Sequence, residues 1–422
     1  MKILYISQYF PPEIGAPAAR ASELARHWTQ EGHEVTVLTG FPNHPNGIVP
    51  PEYKSVLRRL LAKEKFAGGS VVRSWLLPFP NRKPYERILN YSSFFMSAAI
   101  TGVFLARPEV VVATSPQILV ALAGWWIARC KRVPFVFEVR DLWPESLTAV
   151  GMGKEGSLLY RTLAKIAGFL YRHSDHIVVV TPAFKDHLVR NWNVPAEKIS
   201  IVQNGVETEL FSPRNADPLL RSQLGAEGKF LVSYIGTIGM AHGLDTLIEA
   251  AAKLQIQAPH VEFLLVGEGA DRERICALAN SRGLTNLHFA GLQPRERIPA
   301  YIAVSDACLV LLKKADVFET VIPTKMLEFM SGGRPVVLGL EGQARKIVEN
   351  AAAGIWIRPE SAEELVKAII HLENNRGLAK QLGANGRNYV LQHLSRKQTA
   401  VEYLALLEEL IGTGAPLRAA VA

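Results

Sequence analysis

MKILYISQYFPPEIGAPAARASELARHWTQEGHEVTVLTG, residues 1–40, decides the fold class. KILYIS is an apolar run of strand length. A turn containing Pro11, Pro12 and Gly15 follows, residues 18–30 place apolar side chains at helical spacing, and Gly32 stands where a helix C-cap glycine belongs. EVTVLT then returns to β-branched strand chemistry. A strand, a helix and a second strand in this order form a crossover unit, which implies parallel pairing. Working outward, residues 110–113, 134–139 and 176–180 repeat the short β-branched run, each behind a helical segment. The expectation is an α/β chain with a doubly wound parallel sheet.

The alternation lapses in NGVETELFSPR, residues 204–214, which reads as a linker, and then restarts with FLVSYIG, VEFLLVG, NLHFAG, ACLVLL and PVVLG. At 422 residues the chain exceeds what one hydrophobic core serves. Two Rossmann-like domains are predicted, 1–204 and 205–395. The helix-patterned segment from about Ser395 to Ile411 could cross back, so that 396–422 completes the first.

With 48% hydrophobic and 20% charged residues the chain is globular, neither fibrous nor extensively disordered. Three scattered cysteines, Cys130, Cys276 and Cys308, support neither a disulfide framework nor a zinc cage. They fit a reducing cytosol, and the amino terminus lacks the pattern of a signal peptide. The net charge of +8 is uneven: residues 1–205 hold 24 Lys plus Arg against 15 Asp plus Glu, while residues 206–422 are close to neutral. One basic half points to an anionic membrane or polyanion, but no nucleic-acid motif accompanies it, so nucleic acid is not expected as a partner. Residues 88–106 and 110–128 are free of Asp, Glu, Lys and Arg, yet their polar residues and Pro116 favour buried elements over membrane spans.

In open parallel sheets, ligands sit beyond the carboxyl ends of the strands. Four turns there carry candidate chemistry. Gly15 opens a helix after the first strand, where backbone N–H groups can approach an anion; a tight turn is the plainer reading. Asn43 and His44, after the second strand, are candidate acceptor-binding residues, although a His in a Pro-rich loop can simply be solvated. Arg140, Asp141 and Glu145 gather after residue 139: a carboxylate to orient or deprotonate a hydroxyl and a guanidinium to hold phosphate, or else an N-cap and its charge partner. The loop with Gly236, Gly239 and Gly243 cradles phosphate in principle, but it is neither a Walker A loop nor a GxGxxG turn, and VGEGADR, which contains Glu268, fails the same test.

The sharpest cluster is VFETVIPTKMLEFMSGGRPVV. Lys325 and Glu328, three apart, share a helical face, while Met326, Leu327 and Met330 can enter the core. Together they offer what a nucleoside-diphosphate leaving group needs, a cation for the phosphate charge and a carboxylate for ribose hydroxyls. The competing reading is an ordinary helical ion pair.

In this order, GHEVTVLT, NG at 204–205, the glycine loop at 236–243, VGEG at 266–269 and KMLEFMSGGRPVV resemble the family-four retaining glycosyltransferases of the GT-B fold over nearly the whole chain. QYFPPEIGAPAARASELA, FPNHPNG and EVRDLWPES look most like the bacterial subgroup that builds O-antigen and capsule repeats, including fucosamine transferases. The resemblance implies two facing domains, the first for a polyprenyl-diphosphate-linked saccharide acceptor and the second for a sugar nucleotide, usually UDP-linked, with no metal and no cofactor. It implies donor binding by Gly15, Gly239, Glu268, Gly291, Lys325 and Glu328, and catalytic roles for Lys325, Asp141 and Arg140. The family's first glutamate is replaced by Thr320, with Glu319 one place out of register. Its loop cations are replaced by Met240, Ala241 and His242, and Asp141 lies near where many members carry a histidine.

KSVLRRLLAKEKF, residues 54–66, has the basic and apolar mix of an interfacial helix, predicting a protein peripheral to the inner face of the plasma membrane. Two rival classes share the fold: a sugar-nucleotide epimerase, which would convert its nucleotide sugar without acceptor, and a binder without turnover.

Overall fold

The computed structural model describes residues 1–44, 47–57, 60–80, 83–146 and 156–412. The chain divides into two compact units, residues 1–203 with 397–422, and residues 204–396.

The sheet of the first unit contains β1 (Lys2–Ile6), β2 (Glu34–Gly40), β3 (Leu61–Phe66), β4 (Gly69–Ser74), β5 (Val110–Thr114), β6 (Phe135–Val139), β7 (His176–Val179) and β8 (Ile199–Ile201). Their order is β3-β4-β2-β1-β5-β6-β7-β8, parallel except for β3, which pairs antiparallel with β4. Strand order reverses beside β1, because β2 and β5 both pair with it, so the loops after β1 and β5 flank a topological switch point.

The stretch 54–66 is a correction. A helix runs over Pro51–Leu57 and ends, and Leu61–Phe66 is the edge strand β3. Ala67 (φ 48°) and Gly68 (φ 88°) turn the chain back into β4, and a hairpin with six paired positions outweighs the helical spacing. Phe66 packs edge-on against Phe10, and Glu64 pairs with Arg73 at 2.9 Å, so this segment contributes side chains to the fold itself. Arg58 and Arg59 of the expected interfacial helix lie outside the described residues.

A buried ion pair fastens this unit. Arg20, on the helix Ala16–Gln30, and Glu138, on β6, are 1% and 0% exposed. The guanidinium reaches Glu138 Oε1 through Nε at 3.0 Å and Nη2 at 2.7 Å, and Tyr5 Oη donates to Oε2 at 2.9 Å. Its remaining N–H groups donate to the carbonyls of Gln203 and Val202. Burial works against the Glu138 charge, but the Arg20 guanidinium outweighs it and holds the carboxyl below the usual range. The final helix, Arg396–Gly412, lays Ala400, Tyr403, Leu404 and Leu407 into the same core, where Trp28 Nε1 donates to the Ala400 carbonyl and meets the Tyr403 ring edge-on.

The second unit has β9 (Phe230–Ile235), β10 (Val261–Val266), β11 (Leu287–Gly291), β12 (Ala307–Leu311), β13 (Val336–Gly339) and β14 (Gly354–Trp356) in the order β11-β10-β9-β12-β13-β14, all parallel. This is the dinucleotide-fold order, with its switch point between β9 and β12. Apolar side chains on both faces of the sheet belong to two buried clusters, which is why these strands read as continuous hydrophobic runs. Among the described residues, no helix is long and apolar enough to cross a membrane.

Candidate active site

In the second unit the loops after β9 and β10 interlock. Gly236 (φ 142°) and Gly267 (φ 140°) adopt backbone conformations that L side chains rarely reach. A Cβ on Gly267 would stand 2.0 Å from the Gly236 carbonyl oxygen, so only glycine permits this approach.

The helix Thr324–Ser331 delivers Lys325 to the same place while Met326, Leu327 and Met330 fill the core. Lys325 Nζ lies 3.9 Å from the centroid of the Tyr234 ring and 3.5 Å from where a Gly236 Cβ would be. The Nζ atom is shielded from solvent and has no hydrogen-bond partner. Burial drives its pKa down to about 7, against the opposing pull of Glu328. His242, with Nδ1 3.3 Å from the Gly239 amide, is pushed down to about 3 by burial and by the Lys325 charge, so it stands neutral at pH 7. An ammonium left without an acceptor beside a glycine loop is costly to the fold and suited to meeting an arriving anion.

Glu328 is half of a pair that the sequence did not disclose. Arg295, in the turn Arg295–Arg297, brings Nη1 to 3.0 Å from Glu328 Oε1 and lies over the Phe211 ring. Glu268 pairs with Arg272 at 3.2 Å, and Gly291 follows close by, its Cβ position 3.9 Å from Glu268 Oε1. Gly239 begins the short turn Met240–His242. Glu319 is exposed on the turn Asp316–Thr320, and its backbone carbonyl abuts Gly342.

In the first unit, Gly15 (φ 148°) is the N-cap of Ala16–Gln30. Arg140 approaches that helix start, its Nη2 donating to the Ala16 carbonyl at 3.3 Å, while Nε and Nη1 are buried without partners. Ser115 Oγ accepts from the amides of Arg140 and Asp141, and burial lifts the Asp141 carboxyl to about 6 despite the neighbouring Arg140. Asn43 is buried and accepts from Asn90 Nδ2 at 3.2 Å, whereas His44 is exposed with its ring 5.0 Å from that of Tyr9. Glu13, overlooked in the sequence, holds this loop: Oε1 accepts from the amides of Asn43 and His44 at 2.9 and 3.0 Å, and burial raises its carboxyl to about 7. The structure thus gathers Gly15, Arg140 and Asp141 at one edge, and Asn43, His44 and Glu13 in one loop cluster. In the second unit Lys325 and Glu328 share a helix with Gly239 nearby, while Glu319 stands apart on an exposed turn.

Residues 15–205 match the Glycosyl transferase 4-like domain family, and residues 217–389 match the Glycosyl transferases group 1 family. The chain belongs to the family-four glycosyltransferases. WcaI of Escherichia coli, named provisionally as a colanic acid biosynthesis glycosyl transferase, is 26% identical over 382 residues, which cover 87% of this chain and 91% of the relative. Among solved structures, sucrose-phosphate synthase from Thermosynechococcus elongatus superposes with a TM-score of 0.79 at 20% identity, covering 98% of this glycosyltransferase and 99% of the synthase. Anabaena HepE, solved with UDP-glucose, gives 0.70 at 18% identity over 96% and 100% of the two chains. The fold of this glycosyltransferase is therefore GT-B, built of two Rossmann-like units.

Proposed function

We propose that this glycosyltransferase moves a sugar from a UDP-linked donor to a polyprenyl-diphosphate-linked saccharide during assembly of a surface polysaccharide, with retention at the anomeric carbon. The observation that carries this reading is the unpartnered Lys325 amine against the glycine loop of the second unit. HepE binding UDP-glucose supports the donor class, and WcaI supports the pathway class.

In the reaction, the acceptor hydroxyl attacks the anomeric carbon on the side from which the nucleoside diphosphate leaves. The carbon–oxygen bond to the diphosphate breaks, and the hydroxyl proton passes to the departing phosphate oxygen. Protonated Lys325 and the amides of the 236–239 loop take up the charge growing on that oxygen. Glu328, held by Arg295, receives the ribose hydroxyls. Gly15, Gly239, Glu268, Gly291 and Glu319 complete the donor assignment; Arg140 and Asp141 are assigned to the reacting groups, and Asn43 and His44 to the acceptor. The decisive experiment incubates the protein with UDP-, GDP- and dTDP-sugars and a polyprenyl-diphosphate saccharide. Mass spectrometry should find the lipid one sugar heavier with the UDP donor; conversion of the nucleotide sugar without acceptor would make it an epimerase instead.

Peripheral attachment to an anionic membrane belongs to the same proposal, and its support lies away from residues 54–66. The helix Pro84–Phe104 turns Ile88, Met96, Ile100 and Phe104 to solvent on one face, the last 85% exposed, with no Asp, Glu, Lys or Arg anywhere from Ile88 to Phe104. Lys83 and Arg107, both exposed, bracket it. An apolar stripe of this length flanked by cations suits a lipid surface. Vesicles containing phosphatidylglycerol should carry the protein upward in a flotation gradient and Ile100→Asp/Phe104→Ser should stay at the bottom. Equal flotation of both proteins would remove this face from the proposal.

A further inference from the structure

A cavity of about 550 Å³ opens in the second unit, well away from the glycine loops. Phe230, Asp306 and Pro335, which line it, stand at or just before the first residues of β9, β12 and β13. The loops of Gly236, Gly239 and Gly267 follow the last residues of their strands, so this cavity lies at the opposite end of the sheet. Its size is that of a small-molecule site.

Its charge is one-sided. The helix Arg376–His393 has no Asp or Glu in its 18 residues, and it presents Arg376, Lys380 and Arg387 to the cavity at near-helical spacing. Arg376 and Lys380 sit in the first turns, where the helix field disfavours cations. Arg334 joins them from the end of the helix Thr324–Ser331, its Nε buried without a partner. Asp306, the carboxylate on the lining, is already engaged by Arg221 at 2.7 Å, by the Leu231 amide at 2.8 Å and by Arg376 at 3.3 Å. Arg387 Nη1 donates to the carbonyls of Thr208, Phe211 and Ser331 and to the Ser331 hydroxyl, and among the described residues no carboxylate pairs with its charge. Between the cations, Pro213, Pro335 and Ala379 supply apolar wall.

We infer that this cavity is a second ligand site, separate from the donor site, for a small phosphate-bearing anion with an apolar body. Arg334, Lys380 and Arg387 surround the phosphate, Arg376 stays stacked on Phe230 at 4.3 Å, and the prolines and Ala379 contact the body.

Calorimetric titration of the full chain with phenyl phosphate, inorganic phosphate and phenol at low salt tests it. Phenyl phosphate should bind at one site about threefold or more tighter than inorganic phosphate, and phenol should not bind. Lys380→Glu reverses an exposed charge and should weaken phenyl phosphate by about tenfold or more, while Lys325→Met leaves it unchanged. Lys380→Met, with a loss of about threefold, serves if the charge reversal does not fold. Unchanged binding by both Lys380 variants overturns the inference, as does loss of binding in Lys325→Met, which would place the phosphate in the donor site. Equal affinity for phenol and phenyl phosphate would show that the cations play no part, and equal affinity for inorganic and phenyl phosphate would remove the apolar body.

Discussion

Lys325→Met lowers turnover by about 10²- to 10³-fold, the effect of removing one preorganised group that meets charge developing on a leaving oxygen. Folding does not suffer in parallel. The wild-type ammonium is shielded and without a hydrogen-bond acceptor, and methionine, one heavy atom shorter, keeps an unbranched apolar stem beside Gly236 and the Tyr234 ring. The midpoint of thermal unfolding should therefore hold or rise. Linkage gives the sign: with a folded-state pKa near 7, below the ordinary lysine value, the unfolded chain binds more protons between the two, so stability rises with pH across that window. Lys325→Met abolishes that slope. Binding follows the opposite course, since a diphosphate requires the protonated amine: UDP affinity should fall about tenfold from pH 6 to pH 8 in the wild type and stay nearly flat in the variant. Calorimetry at several pH values, beside single-turnover sugar transfer, reads both. Near-normal transfer by a well-folded Lys325→Met protein would dismiss this residue from the chemistry.

Arg20→Met destabilises the first unit by about 3–5 kcal/mol, because it strands the Glu138 carboxylate where no water reaches it. The pH dependence identifies the cause. In the wild type the depressed Glu138 pKa contributes stability that is present above the ordinary carboxylate value and lost as pH falls through the folded one. In Arg20→Met, Glu138 gains its proton more readily, so the difference between the proteins is largest at neutral pH and narrows on acidification. Urea unfolding of the first unit at pH 7 and pH 4.5 measures it. A deficit that is the same at both values would point to lost packing by the Arg20 stem instead.

The strands were legible because parallel sheets covered on both faces demand short β-branched runs; Val110–Thr114 and Val261–Val266 allow little else. The Lys325 helix was legible because core-facing Met326, Leu327 and Met330 fix its phase. What escaped depended on partners far along the chain. Arg295 lies 33 residues before Glu328 and Arg20 lies 118 before Glu138; helical or strand periodicity says nothing at such separations. Glu13 sat in a Pro-rich turn whose role depends on amides 30 residues later. Residues 61–66 misled because LAKEKF is too short for its spacing to separate helix from strand, and the tight turn at Ala67 and Gly68 chooses between them.

The last helix bears on how the protein is made. Trp28 and Tyr5, translated before the second unit, share their core with Tyr403 and Leu407, translated after it. During synthesis the sheet of the first unit waits with one flank bare until the ribosome has finished the whole second unit, which can mature first. A truncation before residue 396 would leave the second unit nearly whole and turn the first into a substrate for chaperones.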